Sequence, residues 1–133
     1  LSQGGGCMVY VLDYNHREQT IAKLRKKLAK LEGIQAVLGK EEYTKLGQPT
    51  PAEDPHAPDL WLAAKSGYSF TNSDSGDETV VPRKTPGGTH GYLPDQPDML
   101  ATLVISGYGI KPGINLGKIQ SLDVAPTMAR LLG

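Results

Sequence analysis

Histidine is the residue type in this chain best suited to holding a metal ion, and one of the three histidines has distinctive neighbours. His90 lies in the stretch "TPGGTHGYLP", Thr85 to Pro94, with Gly87 and Gly88 before it and Gly91 after it. Glycine permits backbone angles and close approaches that a side chain forbids. A ligand loop benefits, because its backbone must pass near an ion; a plain turn that contains a histidine has the same composition. A Zn²⁺ site needs at least three protein ligands. His16 and His56 are far from His90 in sequence, and neither forms an H-x-x-x-H or D-x-x-x-H pair. On composition alone the turn reading of His90 is the stronger of the two.

The other candidates are weaker. "DYNH" puts Asp13 and His16 three residues apart at a strand-to-helix turn, where Asn15 and His16 more simply begin a helix. "EDPH" around His56 reads as surface loop. Thr89 has no neighbouring base to activate it, and no G-x-S-x-G is present. Cys7 opens a strand without a basic residue beside it, which reads as an inert thiol. "SDSGDE", Ser73 to Glu78, is acidic, but its spacing is not that of a Ca²⁺ loop. "SGYGIKPG" lacks the P-loop pattern. These residues supply no catalytic group and no phosphate-binding loop.

The elements that must position His90 follow from pattern. "CMVYVLD", Cys7 to Asp13, reads as a strand, with "QGGG" before it as a flexible entry. The stretch from Asn15 to Gly33 reads as a helix of about 24 Å. Asn15 is its expected cap, with Glu18 three residues on, and Gly33 its stop. Ile21, Leu24, Leu28 and Leu31 form one apolar stripe, and Lys23, Arg25, Lys26, Lys27 and Lys30 lie off it as a solvated face. "IQAVLGK" reads as a second strand and "KEEYTKLG" as a short helix closed by Gly47. "QPTPAEDPHAPD" is a surface loop, "LWLAAK" a third strand, and "SGYSFTNSDSGDE" a hairpin or loop. "MLATLVISG", Met99 to Gly107, is apolar nearly throughout and reads as a strand buried on both faces. "SLDVAPTMARLLG" closes the chain as a helix, with Pro126 in its first turn and Asp123 favoured over Ser121 as cap. The whole reads as α/β, with a few strands, a long N-terminal helix and a C-terminal helix. Residues 1–133 form one unit without a convincing internal boundary.

Composition narrows the partners. Lys plus Arg and Asp plus Glu are both 14, so no overall field favours nucleic acid or an anionic membrane surface. The basic run "KLRKKLAK" lacks the interleaved aromatics of a nucleic-acid patch. One cysteine excludes an internal disulfide. No apolar run is long enough to span a bilayer, and the start lacks the basic n-region of a signal peptide. Since it does not open with Met, the sequence reads as a trimmed piece.

Three stretches together carry a resemblance. "GGTHGY", then "PDMLATLVISGYGIKPG", then "IQSLDVAPTMARLLG" resemble the C-terminal end of the type I phosphodiesterase/nucleotide pyrophosphatase family, within the alkaline phosphatase superfamily. The stretch from Leu31 to Phe70 also resembles the region before that loop, so the likeness covers most of the chain. In that family the loop histidine is a ligand of one of two metal ions, usually zinc. The resemblance carries that role onto His90 and turns the preference toward the ligand reading.

It also implies an alkaline-phosphatase-like α/β sandwich of which this chain is the C-terminal portion. The family's Thr or Ser nucleophile and its other metal ligands match nothing here. The implied partners are the remainder of the parent catalytic domain and a phosphate-ester or nucleotide substrate, and the chain alone is expected to be inactive. The alternative is a self-contained, non-catalytic α/β module for binding or dimerisation, with self-association through an uncovered apolar face.

Overall fold

A computed structural model describes residues 1–73 and 75–133, in two compact units, Leu1–Leu100 and Ala101–Gly133. The first is mixed α/β. Its four strands are β1 (Ser2–Gln3), β2 (Gly6–Val9), β3 (Ile34–Leu38) and β4 (Leu60–Ala64). They form one antiparallel sheet in the order β1-β2-β4-β3. Two helices belong to this unit, α1 (Arg17–Leu28) and α2 (Lys40–Tyr43), the latter continued by a 3₁₀ turn over Thr44–Leu46.

Side-chain alternation gives the sheet two different faces. Register sets Cys7 opposite Leu62 and Val9 opposite Leu60, so these four share a face with Val37. Against that face pack Ile21, Leu24 and Leu28 of α1, closing the core with Ile34 and Phe70. Three of the four stripe residues therefore do what their spacing predicts. Leu31 falls beyond the helix and is exposed. Met8, Trp61 and Leu38 alternate onto the opposite face.

α1 is shorter than expected, with 12 residues and a length of about 18 Å. His16, not Asn15, is its N-cap, and no side chain caps it. Asp13 accepts from the backbone N–H groups of Asn15 (3.2 Å) and His16 (3.3 Å), so the carboxylate just upstream satisfies the entering turn. Gly33, at φ +79°, ends the turns after Leu28. Arg25 leaves the solvated face: it reaches Glu41 at 3.2 Å and Glu42 at 2.5 Å, tying α1 to α2.

β2 stops at Val9, short of the expected Asp13, and Pro58 explains why. The register Val9–Leu60 sets Val11 opposite Pro58, which has no N–H to give the Val11 carbonyl and whose own carbonyl accepts from the Tyr43 hydroxyl at 3.0 Å rather than from Val11. The Asp59 carboxylate takes over, accepting the Val11 N–H at 2.7 Å and Arg17 Nε at 2.9 Å. Asp59 is buried, as are its neighbours Ala57 and Pro58, so the end of the expected surface loop is core.

Two further expectations are overturned. "QGGG" is a hairpin turn between β1 and β2, with φ positive at Gly4 but not Gly5, the type II′ pattern. Met99–Gly107 is not a strand. Met99 ends a 3₁₀ turn begun at Pro97, and Leu100, Leu103 and Val104 are exposed. An extended run becomes a strand only by pairing, and this one has no ladder among the described residues.

The second unit, residues 101–133, consists of loop, a 3₁₀ turn at Ser121–Asp123 and helix α3 (Val124–Leu132). Pro126 sits in the first turn of α3, as expected. Asp123 is the N-cap by position but gives no side-chain cap; its carbonyl accepts from Thr127 Oγ1 at 2.6 Å. Ile114, Leu116, Ile119, Leu122 and Leu132 are exposed. No helix among the described residues is long and apolar enough to cross a membrane.

Candidate functional site

His90 is presented by a loop that is fastened at its backbone. The Gly5 N–H donates to the His90 carbonyl at 2.7 Å, while the His90 side chain is exposed. The fastening needs glycine. Gly91 has φ +86°, and a Cβ there would stand 2.0 Å from the Gln3 carbonyl oxygen. A Cβ on Gly5 would enter the Tyr92 ring at 2.5 Å. Tyr92 continues the anchorage, its hydroxyl donating to the Tyr68 carbonyl at 2.7 Å. The glycines about His90 thus serve, in part, a backbone-to-backbone contact with the β1–β2 turn. A Cβ on Gly88 would meet nothing within 4 Å.

No group of three or more His, Cys, Asp or Glu side chains that could hold a metal ion occurs among the described residues. His16 and His56 are not drawn to His90 in any such group. His16 Nδ1 lies 3.0 Å from Asp13 and His56 Nδ1 lies 3.1 Å from Asp54, each pair local and exposed. Cys7 is half-buried and packs against the core. Within the acidic run Ser73 to Glu78, Asp74 lies outside the described residues.

Beside the His90 loop lies a cleft of about 370 Å³ that was not legible as a site in the sequence. Its floor is the sheet face opposite α1, made by Met8, Trp61 and Leu38. Gly91 to Pro94 form one wall; Tyr43, Leu46 and the loop carrying His56 form others. Tyr43 is buried and donates to the Pro58 carbonyl at 3.0 Å. Burial, with the nearby Asp59 charge, pushes its phenol up to about 12. At the mouth, Asp54 accepts from the His56 backbone N–H at 2.8 Å, which holds its carboxyl below the usual range. The signal for this floor was the alternation in "LWLAA", which puts Trp61 on the face away from Leu60 and Leu62.

Compared with known proteins, the sequence matches no family model, and no curated protein and no solved structure matches it.

Proposed function

We propose that this chain is part of a metal-dependent phosphodiesterase or nucleotide pyrophosphatase, to which it contributes His90 as one ligand of a shared metal centre. One observation carries the reading. His90 presents an exposed imidazole on a loop whose backbone is held at Gly5, and its ring has no hydrogen-bond partner among the described residues. A ligand has to be held in position yet open to an incoming ion, and His90 meets both needs. The described donor set fits one ligand of a zinc-type centre and not a whole one. The rest would come from the remainder of an alkaline-phosphatase-like sandwich. A divalent ion pair would supply Lewis-acid stabilisation of a phosphoryl transition state. This chain's part is to fix the imidazole, through the Gly5 and Gly91 contacts, so that little loop motion remains to be frozen on binding.

The test uses the reading frame upstream of Leu1. A Ser-Asp-His-Gly and a Thr or Ser nucleophile motif are expected there. The longer polypeptide should hold zinc and hydrolyse a chromogenic nucleotide ester, and His90→Ala should lower both metal content and turnover. Unchanged metal and turnover in that variant would refute the assignment.

A second reading, a self-associating module, is favoured by the exposed apolar side chains of residues 101–133. Sedimentation over a range of concentrations tests it: a dimer supports the module, and a monomer throughout removes it.

A further inference from the structure

We infer that the cleft over Trp61 binds a planar aromatic group that carries an amide substituent. The inference goes beyond the phosphoester reading and does not depend on it. Three separate segments of one compact unit close over a strand floor there, Leu46 to Pro49, Ala57 to Pro58, and Gly91 to Pro94. That makes a concave site rather than a bare face. Its volume, about 370 Å³, lies within the roughly 300–1,000 Å³ of small-molecule sites. Trp61 and Tyr92 are only half-buried, so aromatic surface is open to the cleft, and Met8 adds a polarisable thioether.

The polar side of the site is made by Asp54 and His56, which line the cleft together with His56 Nδ1 3.1 Å from Asp54 Oδ1. An amide, which both donates and accepts, can pair with an imidazole in either role. An aromatic ring against Trp61 and an amide toward His56 satisfy both halves of the cleft. A saturated ring of equal polarity satisfies only one.

The probe is benzamide, with cyclohexanecarboxamide as the saturated control, titrated into the ¹⁵N-labelled chain. The single tryptophan gives one indole N–H signal to follow. Benzamide should move that signal and the Met8 and Tyr92 amides saturably, with a Kd on the order of 1–10 mM for so small a ligand. The control should bind at least several-fold more weakly. His56→Ala should weaken benzamide about fivefold, the value of one hydrogen bond. His56 is 92% exposed, so its removal leaves the fold alone. Absence of saturable shifts, shifts centred elsewhere, or equal binding of the control would overturn the site. An unchanged affinity in His56→Ala would overturn the amide contact.

Discussion

Gly5 gives its backbone N–H to the carbonyl of His90 at 2.7 Å, so the loop that carries the exposed imidazole is fixed to the β1–β2 turn by main chain alone. The neighbouring Gly91 makes the approach possible. Gly91→Ala should therefore destabilise the first unit by about 2 kcal/mol or more, through positive-φ strain and the clash with Gln3. Gly88→Ala, with open space around it, should change stability by no more than about 0.5 kcal/mol. Urea denaturation compares the two, and faster hydrogen exchange at the Gly5 amide in Gly91→Ala reports that the loop has come away.

Asp59 substitutes for a ladder that Pro58 interrupts. Asp59→Ala leaves the Val11 N–H and the Arg17 guanidinium without their acceptor, at a cost of about 2–3 kcal/mol. Arg17 is 36% exposed and can turn to water, which keeps the loss from being larger. Asp59→Asn retains an acceptor and should lose less. Denaturant midpoints of the two variants check the order.

Two groups give stability a pH dependence of opposite sign. Glu42 accepts from the Gly39 N–H at 2.8 Å and pairs with Arg25, and its carboxyl is held below the usual range, first by that Gly39 bond. A depressed carboxylate stabilises the fold above the unfolded-state value and loses that contribution as pH falls through the folded one. The penalty of Glu42→Gln should therefore be present at neutral pH and shrink on acidification. Tyr43, raised from 10.0 to about 12, acts in reverse. Its contribution is full below 10 and is lost as pH rises toward 12, so alkaline unfolding should move to higher pH in Tyr43→Phe. Thermal melts across both ranges measure each effect.

The exposure of residues 100–104 is directly measurable. Val104 is 85% exposed, so Val104→Asp should shift stability by no more than about 0.5 kcal/mol. In a strand buried on both faces the same change would cost several kcal/mol. A denaturation midpoint near that of the native sequence agrees with the observed loop.

The legible parts of this chain were those fixed by local pattern. Ile21, Leu24 and Leu28 announced the face of α1 that meets the sheet, and Gly47, at φ +65°, closes the short helical stretch as its type predicts. The illegible parts depended on distant partners. "QGGG" reads as slack until His90 is seen against Gly5. Pro58, 47 positions beyond Val11, ends β2 through the register with Val9 rather than through any signal near Val11. The apolar run from Met99 promises burial, yet hydrophobicity names no pairing partner, and the sheet is completed by residues 2–64. The cleft over Trp61 needed three segments to converge, which no single stretch could show. For His90, the loop glycines were read as room for an ion, and Gly91 proves to be occupied with Gln3 instead.

The measurement that bears most directly on His90 as one ligand of a shared centre is calorimetric titration of Zn²⁺ into the chain, beside His90→Ala. A single imidazole offers too few donors for a tight site, so the account predicts affinity no stronger than the millimolar range, about −4 kcal/mol. Micromolar or tighter binding that disappears in His90→Ala would contradict it, because the chain would then complete a metal site without any other part of an enzyme.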